Sequence, residues 1–286
     1  MKKREWKPIT ELRKTEYNCS GWSYPYEYAK ARKNMSDAHG YAGNLHGPYS
    51  VAIREQIEVR QNASGDIEYR PCEMTMHHFP EKYHTRFGTF ISDNQGEFGG
   101  KLILPDGHAI GGNYEAAFDC GDKVYVIGSH AHMLIAGVCV MCFTAADQYT
   151  SVYSAGDWDW GDPDLPAYSR EKDADVENMC MAAYSVVDST LYLLTDGDIV
   201  NKAKREFRRC SRLIVIEDGK VKKELEFSEG LCLVKNMIVK DGTVYVAMDK
   251  LLMTIALDSG EYEKYTFLSE EDEENIRKAM EKQMEL

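Results

Sequence analysis

The sequence predicts an all-β fold, and three patterns indicate this class. Apolar and polar residues alternate with a period of two from Tyr49 to Val59, as in a strand with one buried face. The turn-forming cluster Asn62 to Asp66 then precedes a returning strand, Ile67 to Met76. Further along, one hairpin pattern occurs three times. It consists of an apolar strand, a tight turn with Asp, and a second strand in which Tyr stands between apolar residues.

The three repeated hairpins are Phe118 to Ile127, Tyr184 to Leu194 and Met237 to Ala247. Each is followed by another apolar run, and polar turns after the second and third hairpins lead to a fourth strand. The sequence therefore predicts a repeated four-stranded meander. Its additional strands are His132 to Phe143, Arg212 to Ile216, Val221 to Phe227, Leu251 to Leu257 and Tyr262 to Phe267.

Repetition of four-stranded units is typical of β-propellers. The last two copies resemble propeller blades in general, through runs such as Asp241-Gly-Thr-Val-Tyr-Val and Asp258-Ser-Gly-Glu. The resemblance covers Phe87 to Phe267, within which Phe87 to Ile110 looks like a degraded copy. It implies a propeller-like body of about four to six blades of antiparallel strands. A large antiparallel β-sandwich is the alternative, because turn-separated strands are also typical of sandwiches.

Three segments are expected along the chain. Residues 1–48 form an irregular, aromatic-rich N-terminal arm, residues 49–268 the propeller-like domain, and residues 269–286 a C-terminal helix. Ser269 is the predicted N-cap of this helix, and acidic residues fill its first turn. The apolar stripe Ile276, Met280 and Met284 is expected to dock onto the sheet body, with binding of a partner as the alternative.

Composition excludes several classes of protein. The 286 residues include 34 Lys and Arg against 47 Asp and Glu, a net charge of −13 that argues against a nucleic-acid ligand. No apolar run approaches the ~20 residues of a membrane span. No apolar segment follows the charged start Met1 to Trp6, so a cytoplasmic location is expected. The eight cysteines are widely spread and are expected to be reduced core residues.

A loop insertion, Ala155 to Val176, carries the most distinctive functional pattern. Its carboxylates alternate with tryptophans, which are enriched at interface hot spots, and the acids would attract a basic protein surface. A calcium site is a second interpretation, although the spacing does not match an EF-hand, and a solvated acidic loop is a third. The predicted partner-binding residues are Asp157, Trp158, Asp159, Trp160, Asp162 and Asp164.

Two other patterns are candidates for metal chemistry. His130 and His132 stand two apart on a predicted strand, so both side chains would point to one face, as a metal pair requires. A third ligand is required, and Asp119, Cys120 or His108 could supply it, but nothing in the sequence selects one of them. Cys139 and Cys142 have CxxC spacing, but residues three apart in a strand point to opposite faces. The sequence therefore predicts no cofactor, with the two histidines as the remaining metal candidates.

A short motif suggests a relationship to other proteins. The run Asp93-Asn-Gln-Gly-Glu-Phe-Gly-Gly100 precedes the hairpin that begins Phe118-Asp-Cys-Gly-Asp-Lys-Val-Tyr-Val. This combination resembles uncharacterised bacterial proteins, some of which accompany polymorphic toxins as immunity proteins. The resemblance covers Phe87 to Phe143 and transfers no catalytic residue.

These observations predict a non-enzymatic cytoplasmic protein that recognises a basic protein partner. Toxin neutralisation is the role that the resemblance implies. The alternative is a small-ligand-binding or metal-binding enzyme that uses the propeller channel around His130 and His132. A purely structural role is the third hypothesis. No nucleic-acid or membrane partner is expected.

Overall fold

The computed structural model describes residues 5–16, 55–73, 80–95, 99–132, 135–156, 176–201, 206–231, 234–275 and 278. Strands dominate these residues, and every strand pair is antiparallel. The all-β prediction is confirmed. Two compact units make up the chain: unit 1 comprises Met1–Thr75 and Gly230–Leu286, and unit 2 comprises Met76–Glu229.

The described strands are numbered in chain order. They are β1 (Lys7–Pro8), β2 (Arg13–Lys14), β3 (Glu55–Gln61), β4 (Ile67–Glu73), β5 (Glu81–Thr85), β6 (Gly88–Asn94), β7 (Gly100–Ile103), β8 (Ala109–Gly111), β9 (Tyr114–Cys120), β10 (Lys123–His132), β11 (Ile135–Ala145), β12 (Gln148–Gly156), β13 (Val176–Val187), β14 (Thr190–Asn201), β15 (Glu206–Glu217), β16 (Lys220–Phe227), β17 (Asn236–Lys240), β18 (Thr243–Ala247), β19 (Leu251–Ala256) and β20 (Tyr262–Thr266).

Unit 2 contains three four-stranded sheets, β5 to β8, β9 to β12 and β13 to β16. In each sheet every strand pairs with the next one along the chain, so the predicted repeated meander is confirmed. The segment expected to be a degraded copy forms the complete sheet β5 to β8.

Tight turns connect the hairpins where the sequence predicts them. In the β15–β16 turn, Asp218 and Gly219 have φ of 50° and 70°, the left-handed conformation that two-residue hairpin turns require. The amide of Gly219 donates a hydrogen bond of 2.8 Å to the hydroxyl of Tyr125, the tyrosine of the first repeated hairpin. This bond ties the turn to the neighbouring sheet.

Two apolar clusters hold the sheets of unit 2 together. One lies between the sheets β5 to β8 and β9 to β12 and includes Phe90, Leu102, Val126 and Phe143. The other lies between the sheets β9 to β12 and β13 to β16 and includes Tyr125, Ile127, Val140, Leu191, Leu193 and Ile214. The middle sheet is therefore buried on both faces, which explains why its strands lack a clear alternation of polar residues.

Unit 1 also uses the N-terminal arm in its sheets. β2 pairs with β20 and completes the five-stranded sheet β17-β18-β19-β20-β2, while β1 pairs with β4 in the sheet β1-β4-β3. Residues Ile9–Glu11 between them form one 3₁₀ turn. The sequence does not predict these strands, because two residues are too few to show a period. Residues 1–4 and 17–48 of the arm lie outside the described residues.

The C-terminal helix begins as predicted. The amide of Asp272 donates to the hydroxyl of Ser269 over 3.1 Å, which is the expected N-cap bond, and residues 270–275 are helical. The predicted stripe of Ile276, Met280 and Met284 lies outside the described residues. None of the helical residues that the structure describes belongs to a helix with the length and hydropathy of a membrane span.

Candidate functional site

The three sheets of unit 2 share two ends. At one end, here called the turn end, tight turns such as Asp188–Ser189 and Asp218–Gly219 connect the strands. At the other, called the loop end, lie the connections between β6 and β7, β10 and β11, β12 and β13, and β14 and β15. The strand ends that flank residues 157–175, Gly156 and Val176, belong to the loop end.

The acidic loop predicted to bind a partner, Ala155 to Val176, overlaps β12 and β13 at its ends, and the rest of it is residues 157–175. These residues lie outside the described part of the chain, and they include all six predicted partner-binding residues, Asp157, Trp158, Asp159, Trp160, Asp162 and Asp164. The assignment of these side chains to partner binding therefore stays a prediction. The structure describes the strands from which the loop leaves and to which it returns.

His130, one of the two candidate metal ligands, is buried at the loop end of β10. Its backbone carbonyl accepts a hydrogen bond of 3.5 Å from the thiol of Cys180 on β13. His132 ends the same strand, and its side chain lies outside the described residues. Among the side chains that the structure describes, no group of three His, Cys, Asp or Glu residues could hold a metal ion.

The contact between β10 and β13 continues through Ser129. The amide of Met181 donates to the Ser129 hydroxyl over 3.0 Å, beside the Cys180 thiol. Burial raises the pKa of Cys180 to about 11. The thiol is therefore protonated at neutral pH and acts as a hydrogen-bond donor, which argues against a role as a nucleophile.

Charged side chains cover the loop-end half of the sheet β13 to β16. The guanidinium of Arg209 on β15 pairs with Asp196 and lies 3.4 Å from Asp198, both on β14. The Ser211 hydroxyl lies 2.7 Å from Asp196 Oδ1 and 2.6 Å from the carbonyl oxygen of Glu229. Burial raises the pKa of Asp198, an effect that the nearby Arg209 opposes.

A second arginine forms ion pairs with three further carboxylates. Arg212 binds Glu177 on β13 with two hydrogen bonds, of 3.0 and 2.7 Å. Its Nε lies 3.2 Å from Glu224 and 3.3 Å from Glu226, both on β16. Arg208 pairs with Glu226 over 2.5 Å, and the hydrogen bond from Arg208 lowers the pKa of that carboxylate.

Together these groups are called here the acidic network. They form two clusters on opposite faces of the sheet, one around Arg209 and one around Arg212, because residues three apart in a strand point to opposite faces. The network contains five carboxyl groups and three guanidinium groups, so the carboxyls outnumber the cations. Its members are Glu177, Asp196, Asp198, Arg208, Arg209, Arg212, Glu224 and Glu226.

The described cysteines are free thiols, and most are buried, as expected for a reduced core. Cys139 packs in the cluster with Phe90 and Phe143, whereas Cys142 packs in the cluster with Tyr125 on the opposite face of the sheet. The prediction that the CxxC pair does not converge is confirmed. Cys19 and Cys232 lie outside the described residues.

Comparison with known proteins does not assign this chain to a family. No protein-family model matches the chain, and no curated protein matches it. The resemblance of the Asp93 to Gly100 motif to immunity proteins therefore stays a prediction.

The acidic network is not among the sites that the sequence predicts. The charge pattern of the sequence does contain a signal for this network. Asp196 and Asp198 stand two residues apart on one strand. Three arginines lie close together on the next strand, namely Arg208, Arg209 and Arg212. The pairing depends on register, in which Asp198 faces Arg209 and Asp196 faces Ser211. A slip of one residue would place these groups on opposite faces, so charge pattern alone does not predict the network.

Proposed function

We propose that the chain is a cytoplasmic binding protein that recognises a basic protein partner through the loop end of unit 2. One observation carries the proposal: the acidic network has more carboxyls than guanidiniums. Its two clusters lie on the two faces of the sheet β13 to β16, and the first strand of this sheet, β13, directly follows residues 157–175. That segment is acidic in sequence, and the strand ends that flank it belong to the loop end.

This arrangement suits a protein surface better than a metal ion. The arginines hold the network carboxylates in ion pairs, which reduces their capacity to surround a small cation. Their summed field still extends over the loop end and would attract a positively charged surface. The tryptophans Trp158 and Trp160 would then supply the apolar contacts that give an interface most of its affinity.

Affinity capture from a lysate of the source organism tests the proposal. The wild-type chain is expected to capture a basic protein at low ionic strength and to lose it at high ionic strength, where screening shortens the reach of charges. Trp158→Ala combined with Trp160→Ala is expected to weaken binding of that purified protein about tenfold or more, measured by calorimetry.

A charge-matched pair of variants locates the surface. Asp157→Asn with Asp159→Asn removes two charges from the loop, and Asp188→Asn with Asp218→Asn removes two from the turn end. Asp188 and Asp218 are exposed and have φ of 54° and 50°, which asparagine also adopts readily. Only the loop pair should weaken binding. Equal affinity of all variants, or capture that ignores salt, would contradict the proposal.

Toxin neutralisation is the biological role that we propose for this binding. It is supported by the acidic loop end and by the motif resemblance of Asp93 to Gly100. The captured protein should then inhibit growth when it is expressed alone, and co-expression of this chain should restore growth. A captured protein without toxicity would contradict this role and leave the binding itself standing.

We also propose that the sheets of unit 2 are consecutive blades of a β-propeller of about four to six blades. Three consecutive four-stranded meanders that pack face to face through shared apolar clusters support this architecture. A crystal structure should show the sheets arranged radially about one axis. Two large sheets packed against each other would instead establish the sandwich alternative.

A further inference from the structure

Residues 5–16, called here the strap, join two sheets of unit 1. β1 of the strap pairs with β4, and β2 of the strap pairs with β20. Each pairing involves only two residues, and Pro8 in β1 has no backbone N–H to donate. Such short pairings supply few backbone hydrogen bonds. Side-chain contacts therefore contribute much of the free energy that holds the strap in place.

Side chains anchor the strap at three points. Near its start, the centroid of the Trp6 ring lies 4.2 and 4.5 Å from the Cζ atoms of Arg60 and Arg70, which belong to β3 and β4. In its middle, Leu12 is buried and packs in the apolar cluster of unit 1. The third point, near the end of the strap, is the beginning of the C-terminal helix.

One side chain of the helix holds the end of the strap. Glu273 Oε2 lies 3.0 Å from Arg13 Nη2, and Glu273 Oε1 accepts a hydrogen bond of 2.7 Å from the Thr15 hydroxyl. Arg13 Nη2 also donates to the carbonyl oxygen of Leu268, directly before the N-cap Ser269, over 3.4 Å. The Glu273 side chain is only 16% exposed, so solvent screens this contact less than a fully exposed ion pair.

We propose that the C-terminal helix is a latch that keeps the strap closed. The strap stays on its sheets only while the start of the helix holds the Glu273 carboxylate against it. In sequence, 258 residues separate Thr15 from Glu273, so the latch joins two distant segments. Opening of the strap would expose the edge of β20 and the apolar cluster around Leu12. A ligand that binds the undocked helix would therefore open this strand edge, because it stabilises the open state.

Hydrogen exchange of the full chain, followed by NMR, tests the latch. The Thr15 amide is the reporter, because it donates a hydrogen bond of 3.0 Å to the carbonyl oxygen of Lys264 on β20. Glu273→Gln removes the charge that attracts Arg13 and is expected to speed exchange of this amide about tenfold. Glu271→Gln is the matched control, because Glu271 is exposed in the first turn of the same helix. It should change this exchange less than about twofold.

Two further variants test whether the helix and the strap are coupled. Ser269→Ala removes the N-cap bond to the Asp272 amide and leaves Glu273 in place. It is expected to speed exchange of the Thr15 amide about fivefold, because a frayed helix start no longer positions the carboxylate. Leu12→Ala loosens the strap instead. Because coupling is reciprocal, it should speed exchange of the Glu273 amide, which donates to the carbonyl oxygen of Ser269 over 3.1 Å, by about twofold or more.

Unchanged exchange of the Thr15 amide in Glu273→Gln, or an equal response in Glu271→Gln, would overturn the inference. Exchange that responds to Glu273→Gln and ignores Ser269→Ala would also overturn it, because the helix would then not act as the latch. Circular dichroism of each variant verifies that it is folded, and equally faster exchange in the strands of unit 2 would contradict a local opening. These outcomes are independent of partner capture, since the strap and the helix both belong to unit 1.

Discussion

Gly197→Ala is expected to lower the free energy of unfolding of unit 2 by about 3 kcal/mol or more. Gly197 lies in the central strand β14, opposite Met179 on β13 and Cys210 on β15. A Cβ atom at this position would lie 1.7 Å from the carbonyl oxygen of Asn178 and 2.9 Å from Met179 Cα. Both are backbone atoms of a paired strand, so the clash can be relieved only by moving β13 away from β14.

Chemical denaturation followed by circular dichroism measures this change. Gly111→Ala is the matched control, because an added Cβ at Gly111 in β8 meets no atom within 4 Å. Its free energy of unfolding should change by less than about 0.5 kcal/mol. A Gly197→Ala protein as stable as this control would show that β13 and β14 do not approach as closely as described.

Gly197→Ala should also impair partner binding beyond its effect on stability. The displaced strand β13 carries Glu177 of the acidic network and directly follows the acidic loop. Partner titration at a temperature where the variant is still folded would detect this loss. Unchanged affinity would show that partner binding does not depend on the position of β13.

Phe143→Ala is expected to lower the free energy of unfolding by about 3–5 kcal/mol. The Phe143 side chain on β11 is fully buried. It meets Phe90 on β6 edge to face, with centroids 5.1 Å apart, and Tyr149 on β12 at 4.9 Å. Its removal leaves a cavity between the sheets β5 to β8 and β9 to β12, where neither backbone can collapse without breaking strand pairs.

The conservative variant distinguishes lost volume from lost aromatic contact. Phe143→Leu fills most of the cavity and should cost less than about 1.5 kcal/mol. The denaturation midpoint should shift while the slope with denaturant stays constant, since the same surface is exposed on unfolding. A cost for Phe143→Ala below that of Phe143→Leu would contradict the described packing of this core.

The sequence by itself determined the local architecture. Turns with Asp at Asp188, Asp218 and Asp241 predict the hairpins, because a short polar residue accepts the positive φ that these turns need. Alternation and repetition then predict the four-stranded meanders, and the N-cap at Ser269 follows from a hydroxyl that can bind the free amides of the first turn. All of these are interactions between residues close in the chain.

Only the tertiary structure decided which distant side chains meet. The acidic network joins β13, β14, β15 and β16 through a register that composition does not specify, and the stack of Phe118 on Tyr184 joins two sheets. The sequence also does not predict the two-residue strands β1 and β2. The pairing partner of β1 is about 60 residues away in the chain, and that of β2 is more than 250 residues away. Periodicity reports which face of a strand is apolar. It carries no information on which other strand that face will cover, since many pairings bury a similar area.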